Sequence, residues 1–482
     1  MSCVRDPHVG GERQRASAAL LAIMALFAAG CGRDQTVAPT GPAPRTHSSA
    51  NTMSEDEALV QAVRLLAVGR GIGPLEHPAP VREPLVHLGR MLAFDKILSG
   101  NRNMACMTCH LPAFGTSDGL RLSIGQSGLG LGPDRHLGSG VIIPRNAPAM
   151  FNLAALGSLF WDGRVSRDSH GDFHTPAGAS LTPEMTRVFE FASVSAQGLF
   201  PVTSREEMRG FPADALHHQG GSVNELAAIS DDDFAGIWKA LMVRLGEVPE
   251  YRRLFEKAYP GTSFRKMTFA HAANAMAGFF IDRLSFNDSP WDRFLAGNDH
   301  ALSSVELNGA KDFLTARCSI CHNGAALTDG KFHNVALVQF GPGKGNGPEG
   351  LDDFGRMNIT GDPHDRYAFR TTPLRNVELT APYGHAGQFS DLRDFVAHYS
   401  ESETNLFHFD VQQLAPDLRG TFVHNAADVM ATRDTLLKGV VFTPQVIDEV
   451  TAFMRALTDP AARHVHAITP QHVPSGLPVD RP

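Results

Sequence analysis

The sequence predicts a mainly α-helical chain with long loops and little β structure, and three observations predict it. Capping boxes open several segments of helical period, strand signals are few, and one five-residue string stands in the chain twice: Cys106-Met-Thr-Cys109-His110 and Cys318-Ser-Ile-Cys321-His322. Cys-x-x-Cys-His is the grammar of covalent c-type haem attachment. Two thiols one helical turn apart can bond the two vinyl arms of one porphyrin, and the adjacent imidazole can then reach its iron. A thioredoxin-like dithiol or a four-cysteine zinc site would use the cysteines but leave both histidines unexplained. The strings therefore predict two covalently bound haems and two cytochrome c-like haem domains.

The elements follow in order. Arg5, Arg13 and Arg15 precede an apolar run from Ala16 to Ala29, which has the length of a secretory signal core and is too short to span a bilayer. Leu26-Phe-Ala-Ala-Gly30-Cys31 resembles a bacterial lipoprotein signal, departing from it in Ala28 where Leu is usual, and an ordinary signal-peptidase site is the other reading. Residues 1–31 thus predict export, with Cys31 as a lipid anchor, and place the mature protein in the periplasm or otherwise outside the cytoplasmic membrane. Residues 32–53, rich in Pro, Thr, Ser and Ala, read as a flexible linker. Ser54-Glu-Asp-Glu57 is a capping box for a helix to about Val68, and irregular chain is expected from there to the first string. From Leu111 to Gly163, Gly and Pro recur every few residues, which predicts loop wrapped around a cofactor. Helical period returns at about 231–246, 248–258 and 269–284. Ser303-Ser-Val-Glu306 caps a helix expected to run straight into Cys318, Ser390 caps another to about Tyr399, and Thr443-Pro444 opens a last one to about Leu457. The domains expected are 54–298 around the first haem and 299–460 around the second, with a tail at 461–482 ordered by docking.

Composition sets outer limits. The formal net charge is −8 with no long Lys/Arg run, so nothing points to nucleic acid. Gly and Pro number 46 and 31, which suits a loop-rich chain whose apolar centre is partly porphyrin. Four of the six cysteines belong to the strings, which leaves Cys3 and Cys31 outside any obvious pairing framework, so no structural disulfide is expected in the mature protein.

From about Leu92 to Leu457 the sequence resembles the bacterial di-haem cytochrome c peroxidase and MauG family. The resemblance rests on Leu92-Ala-Phe-Asp95 with Leu98-Ser-Gly100, Arg145-Asn-Ala-Pro148, Phe160-Trp-Asp-Gly-Arg164, Pro201 with Glu207-Met208, and Pro373-Leu-Arg-Asn376 leading to Thr380-Ala-Pro-Tyr383, in the family's order and spacing. It implies that the N-terminal haem, on His110, is the peroxidatic one, and that Glu207 and Gln197 match the distal glutamate and glutamine. Peroxide cleavage moves a proton from one oxygen to the other, a task for a carboxylate acting as base and then acid. Without the resemblance, Glu207 would read as a solvated charge. Where typical family peroxidases carry a removable distal histidine this chain has Gln126, a poor iron ligand, which implies a site open without reductive activation unless His136 substitutes. Trp161 matches the indole placed between the haems, and would otherwise read as a core tryptophan. Asn146, Thr380 and Pro382 match the positions that hold calcium, through hard oxygen donors.

The second haem, on His322, needs another axial ligand. Leu392, Phe395, Val396 and Tyr399 recur at i, i+3, i+4 and i+7, so Tyr399 shares the apolar face of its helix, as a core tyrosine also would. Counting fourteen residues from His385 reaches the family's axial position, where typical peroxidases have Met and MauG-like members Tyr. His398 and Met357 are the other candidates. Three functions are in play: reduction of hydrogen peroxide with electrons from a small c-type cytochrome or similar redox protein; MauG-like oxidation of aromatic residues on a partner protein; and a non-enzymatic di-haem electron carrier or sensor, against which Glu207 and Gln197 argue. The family also implies a homodimer.

Overall fold

The computed structural model describes residues 53–216 and 223–481. The leader at 1–31 and all but the last residue of the 32–53 linker lie outside them. The chain from Met53 onward forms one compact unit, mainly helical, with five strands of two or three residues each among the described residues.

Two helix pairs carry this architecture, and each crosses at a glycine. Helix α1 (Glu55–Gly69) starts at the Ser54 capping box. Helix α2 (Glu83–Phe94) lies in the stretch expected to be irregular. Its polar stripe is only Glu83, His87 and Arg90, eight of its twelve residues are buried, and Arg82 at its N-cap supplies no side-chain bond, so no capping signal marks its start. The haem-string turn α3 (Cys106–Cys109) follows. After the loops come α4 (Ala192–Gln197), α5 (Phe234–Glu247), α6 (Pro249–Ala258) and α7 (Phe269–Arg283). A Cβ on Gly89 of α2 would sit 1.9 Å from the Ala275 carbonyl oxygen of α7, so the two backbones touch there and only hydrogen fits.

The second half repeats the device. Helix α8 (Ser304–Thr315) begins at the Ser303 capping box but stops short of the string. Ala316 is extended, and Cys318–Cys321 forms a separate turn, α9. The break re-aims the thiols, and Ser319 Oγ ties the new turn back to the Leu314 carbonyl at 3.0 Å. Helix α10 (Leu392–Phe407) is capped by Asp391, whose carboxylate accepts from the Arg393 and Asp394 amides, in place of the expected Ser390, and it continues two turns past Tyr399. Helix α11 (Pro444–Arg455) is capped by Thr443. A Cβ on Gly309 of α8 would lie 1.9 Å from the Glu449 carbonyl oxygen of α11.

Two main cores result, and the chain ends cross between them. Val60, Val63 and Ala67 of α1 join the core of Leu307, Phe313 and Phe453 in the second half. Ala462, Val465 and Val473 of the tail join the core of Leu85, Leu88 and Phe279 in the first. Polar clasps hold the tail there: Ser475 Oγ donates to Asp95 at 2.6 Å, Lys96 pairs with Asp480 at 2.6 Å, and Arg90 Nε donates to the Ile468 carbonyl at 2.6 Å. Three short strands, β1 (Ser158–Leu159), β2 (Val165–Arg167) and β3 (Phe173–His174), pair antiparallel in that order. β4 (Phe332–His333) pairs with β5 (Phe369–Arg370) beside the second string.

Candidate haem and peroxide site

Each string is a single helical turn whose histidine is oriented by a backbone carbonyl. Ala105 N donates to Thr108 Oγ1 at 2.8 Å, and that hydroxyl donates to Asp480 Oδ2 at 2.5 Å, so the tail closes on the first turn. His110 Nδ1 lies 3.1 Å from the Thr116 carbonyl. A carbonyl only accepts, so Nδ1 carries the hydrogen and the Nε2 lone pair is free for a metal. Thr116 has φ +61, and the glycine before it has φ +61 with its would-be Cβ 2.0 Å from the Leu379 carbonyl oxygen, so the turn that presents this carbonyl requires Gly115. His322 repeats the arrangement, with Nδ1 3.0 Å from the carbonyl of Leu327, itself at φ +56. Burial lowers the proton affinity of both imidazoles, which keeps them neutral as metal ligation demands.

Around the first string the structure brings Glu207 close enough to act electrostatically on the Cys106 and Cys109 thiols, which burial pushes up. Glu207 sits on a π-turn, Arg205–Arg209, whose amide at 207 donates to Ser204 Oγ at 3.2 Å. Burial raises its proton affinity, opposed by Arg164 and Lys344. Arg164 Nη2 lies 3.9 Å from its Oε1. Gln126 is buried, and its amide nitrogen donates to the Met208 carbonyl. Its own backbone amide donates to the Glu206 carbonyl at 3.2 Å, so the glycine-rich loop and the glutamate turn are tied together. His136 is exposed, with Nδ1 3.3 Å from the Asp134 carbonyl, and does not replace Gln126. Gln197 ends α4, half-buried. Asp118, buried near Cys109, is pushed up to about 6 by desolvation.

The second string opens on a mainly apolar cavity. Leu392, Phe395, Val396 and Tyr399 line it, as do Cys318, Cys321 and His322. Burial, then the two thiols, raise the Tyr399 phenol well above the ordinary tyrosine range. His398 points elsewhere: Nε2 lies 2.8 Å from the Val335 carbonyl and Nδ1 3.3 Å from Asn405 Nδ2, so both ring nitrogens are engaged. Met357 lies on a separate short helix, Met357–Thr360. Arg370, unmarked in the sequence, and His385, which entered there only as the point from which Tyr399 is counted, complete the wall. Arg370 Nη1 and His385 Nδ1 are buried donors without partners, and both residues line the cavity. Burial lowers Arg370 to about 10 and His385 to about 3. Unpaired buried donors of this kind are costly in an empty apolar cavity and suit the acidic side arms of a porphyrin. The residues therefore fit a haem at each string.

Trp161 lines the same cavity and donates from Nε1 to the Asn146 carbonyl at 2.9 Å. Asn146, Thr380 and Pro382 also share that wall, and Asn146 Nδ2 donates to the Leu120 carbonyl at 2.8 Å. A cluster of Cys321, Asp329 and His333 brings three ligand-type atoms within 4.8 Å, and Asp434 pairs with His333 Nδ1 at 2.5 Å. With Cys321 spent on a porphyrin the cluster reduces to an imidazole between two carboxylates. No helix among the described residues is long and apolar enough to cross a membrane.

Comparison with known proteins fits this geometry. The family model described as di-haem cytochrome c peroxidase matches residues 83–300. The chain is 30% identical to the cytochrome c551 peroxidase of Pseudomonas aeruginosa over 70% of its own length and 76% of the relative's. It is 28% identical to the methylamine utilization protein MauG of Methylorubrum extorquens over 73% and 80%. Among solved structures, a MauG-like protein associated with microbial copper homeostasis superposes with a TM-score of 0.54 at 25% identity, covering 82% of this chain and 95% of that one. The diheme peroxidase BthA of Burkholderia thailandensis gives 0.52 at 20% identity, over 86% and 95%.

Proposed function

Because the chain belongs to the di-haem cytochrome c peroxidase family, we propose that it reduces hydrogen peroxide to water at the haem held by Cys106, Cys109 and His110, with electrons relayed through the haem held by Cys318, Cys321 and His322. It is an oxidoreductase of the peroxidase type with two c-type haems. The observation that carries the assignment of roles is Glu207 beside the first pair of thiols, a carboxylate that a plain electron carrier would not need. When bound, the haems supply the iron at which peroxide is reduced and the store from which its electrons come.

The protein's own part is proton handling, orientation and electron passage. Glu207 takes the proton from the peroxide oxygen nearer the iron and returns it to the departing oxygen; two electrons and two further protons complete two waters. Gln197 orients the peroxide through its amide. Gln126, whose side-chain amide is committed to the Met208 carbonyl, would not serve as a ligand to the first haem. Trp161 passes electrons between the halves, 54–298 and 299–460. Asn146, Thr380 and Pro382 hold calcium through neutral oxygens, a modest charge count that suits weak, structural binding.

Tyr399 favours a second reading. A phenolate stabilises higher iron oxidation states where a thioether favours the ferrous one, so the same site suits MauG-like oxidation of aromatic residues on a partner protein. Mixing the holoprotein with peroxide and a reduced small c-type cytochrome separates the readings. Peroxide-dependent oxidation of the cytochrome, lost in Glu207→Gln, is expected; peroxide consumption with no cytochrome oxidised, but with a partner protein's tyrosine or tryptophan modified, would replace the first reading by the second. Export to the periplasm, a tether through lipidated Cys31 and pairing of two copies belong to the same proposal, and mass spectrometry of the mature N-terminus and light scattering read them out.

A further inference from the structure

Five charged side chains alternate in sign from the first string toward the second cavity. Glu207 Oε1 faces Arg164 Nη2 at 3.9 Å. Arg164 Nη1 donates to Asp162 Oδ1 and Oδ2 at 3.3 and 3.2 Å. Asp162 Oδ2 accepts from Arg145 Nη1 at 2.6 Å, and Arg145 grips both oxygens of Asp353 through Nε and Nη2 at 2.6 and 2.9 Å. The Arg164 guanidinium also lies over the Phe160 ring, 3.5 Å from its centroid. Gly163, at φ +68 with its would-be Cβ 2.2 Å from the Phe332 ring, makes the tight turn that sets Asp162 and Arg164 side by side.

The chain is an expensive way to hold a loop. The side chains of Arg145, Asp162 and Asp353 are 8%, 4% and 6% exposed, and buried ion pairs of this kind are no more stabilising than apolar packing of equal volume. Every link but one is at hydrogen-bond distance; the longer one joins Arg164 to the carboxylate assigned the proton transfer. We propose that Arg164 is a positioning residue for the peroxide reaction, held flat on Phe160 and anchored through Asp162 to the Arg145–Asp353 clamp so that its free Nη2 fixes the Glu207 carboxylate beside the first haem.

The proposal rests on reading Glu207 as the proton carrier. The charged groups facing Glu207 are Arg164, Lys344, Glu206 and Arg145. Of the cations, Lys344 is exposed and Arg145 is already satisfied by two carboxylates. Removing Arg164 leaves burial and Glu206 less opposed, so the carboxylate takes up its proton at higher pH.

The test uses the holoprotein with both haems, as wild type, Glu207→Gln, Arg164→Gln and Arg164→Lys. The ferric absorption spectrum is titrated against pH, and the rate constant for reaction with peroxide is measured across the same range. The wild type is expected to show an acid transition that Glu207→Gln abolishes. Arg164→Gln should move that transition up by about one pH unit, with about a tenfold loss of rate below it. Arg164→Lys keeps a cation without the fork and should restore about half the shift. A transition unmoved in Arg164→Gln overturns the proposal and leaves the role of Glu207 standing, whereas a wild type with no transition sensitive to Glu207→Gln removes both. If Arg164→Gln fails to load both haems, Arg164→Lys decides alone: an intermediate shift supports the proposal and no shift overturns it.

Discussion

The two haem strings are built alike and surrounded differently. In each half a helix crosses its partner at a glycine, a one-turn helix carries the thiols, and a carbonyl from a residue at positive φ fixes the histidine tautomer. The surroundings then diverge. Beside the first string stands a half-buried carboxylate on a π-turn, tied by Gln126 to a glycine-rich loop. Beside the second stand a tyrosine on a helix face and two unpaired buried donors in a large apolar cavity. Shared scaffolding thus fixes haem attachment, and a few residues on the surrounding walls set what each iron does.

The largest effect that would sharpen this contrast is Glu207→Gln, which should lower kcat/KM for peroxide by about 10²- to 10⁴-fold and leave the spectrum of the second haem untouched; equal disturbance of both haems would erase the division. Next, Tyr399→Met should raise the midpoint potential of the second haem by on the order of 0.1 V, within the roughly 0.8 V that axial ligands span. Spectroelectrochemistry reads this, and an unmoved potential would strip Tyr399 of its role. Asp480→Ala removes partners from Lys96 and from Thr108 of the first turn, and should cost about 1–3 kcal/mol in thermal unfolding. The last effect is a slope rather than a step and concerns His398, which burial lowers to about 4. Between pH ~6.5 and that value the unfolded chain binds a proton that the folded chain does not, so stability falls as pH falls, by at most ~1.4 kcal/mol per pH unit. His398→Asn should flatten that slope in urea titrations and leave the second haem's spectrum intact; a changed spectrum would make His398 the ligand.

Local signals were legible where they were chemical or punctuating. The strings, the Ser54 and Ser303 boxes and the Thr443-Pro444 start stand in the sequence as in the structure. Helix Glu83–Phe94 escaped because no capping side chain marks its start and only a narrow polar stripe, Glu83, His87 and Arg90, interrupts its buried residues, and Asp391 outcompeted Ser390 because its carboxylate reaches two free amides at once. The break at Ala316 follows from the direction the thiols must face, which no period encodes. Arg145, Asp162 and Arg164 lay inside the family strings, yet their alternation with Asp353, some two hundred residues away, exists only in space. No sequence pattern marks Arg370 Nη1 or His385 Nδ1; their meaning comes from being buried atoms without a hydrogen-bond partner.

Thr108 and Asp480 are 372 positions apart yet share a hydrogen bond. The polypeptide is made amino end first, so both cysteine pairs exist before residue 480 does. Cargo can therefore be welded to the first pair while that compartment is still unlatched, and the late-arriving segment then locks it in, making the order of assembly a property of connectivity.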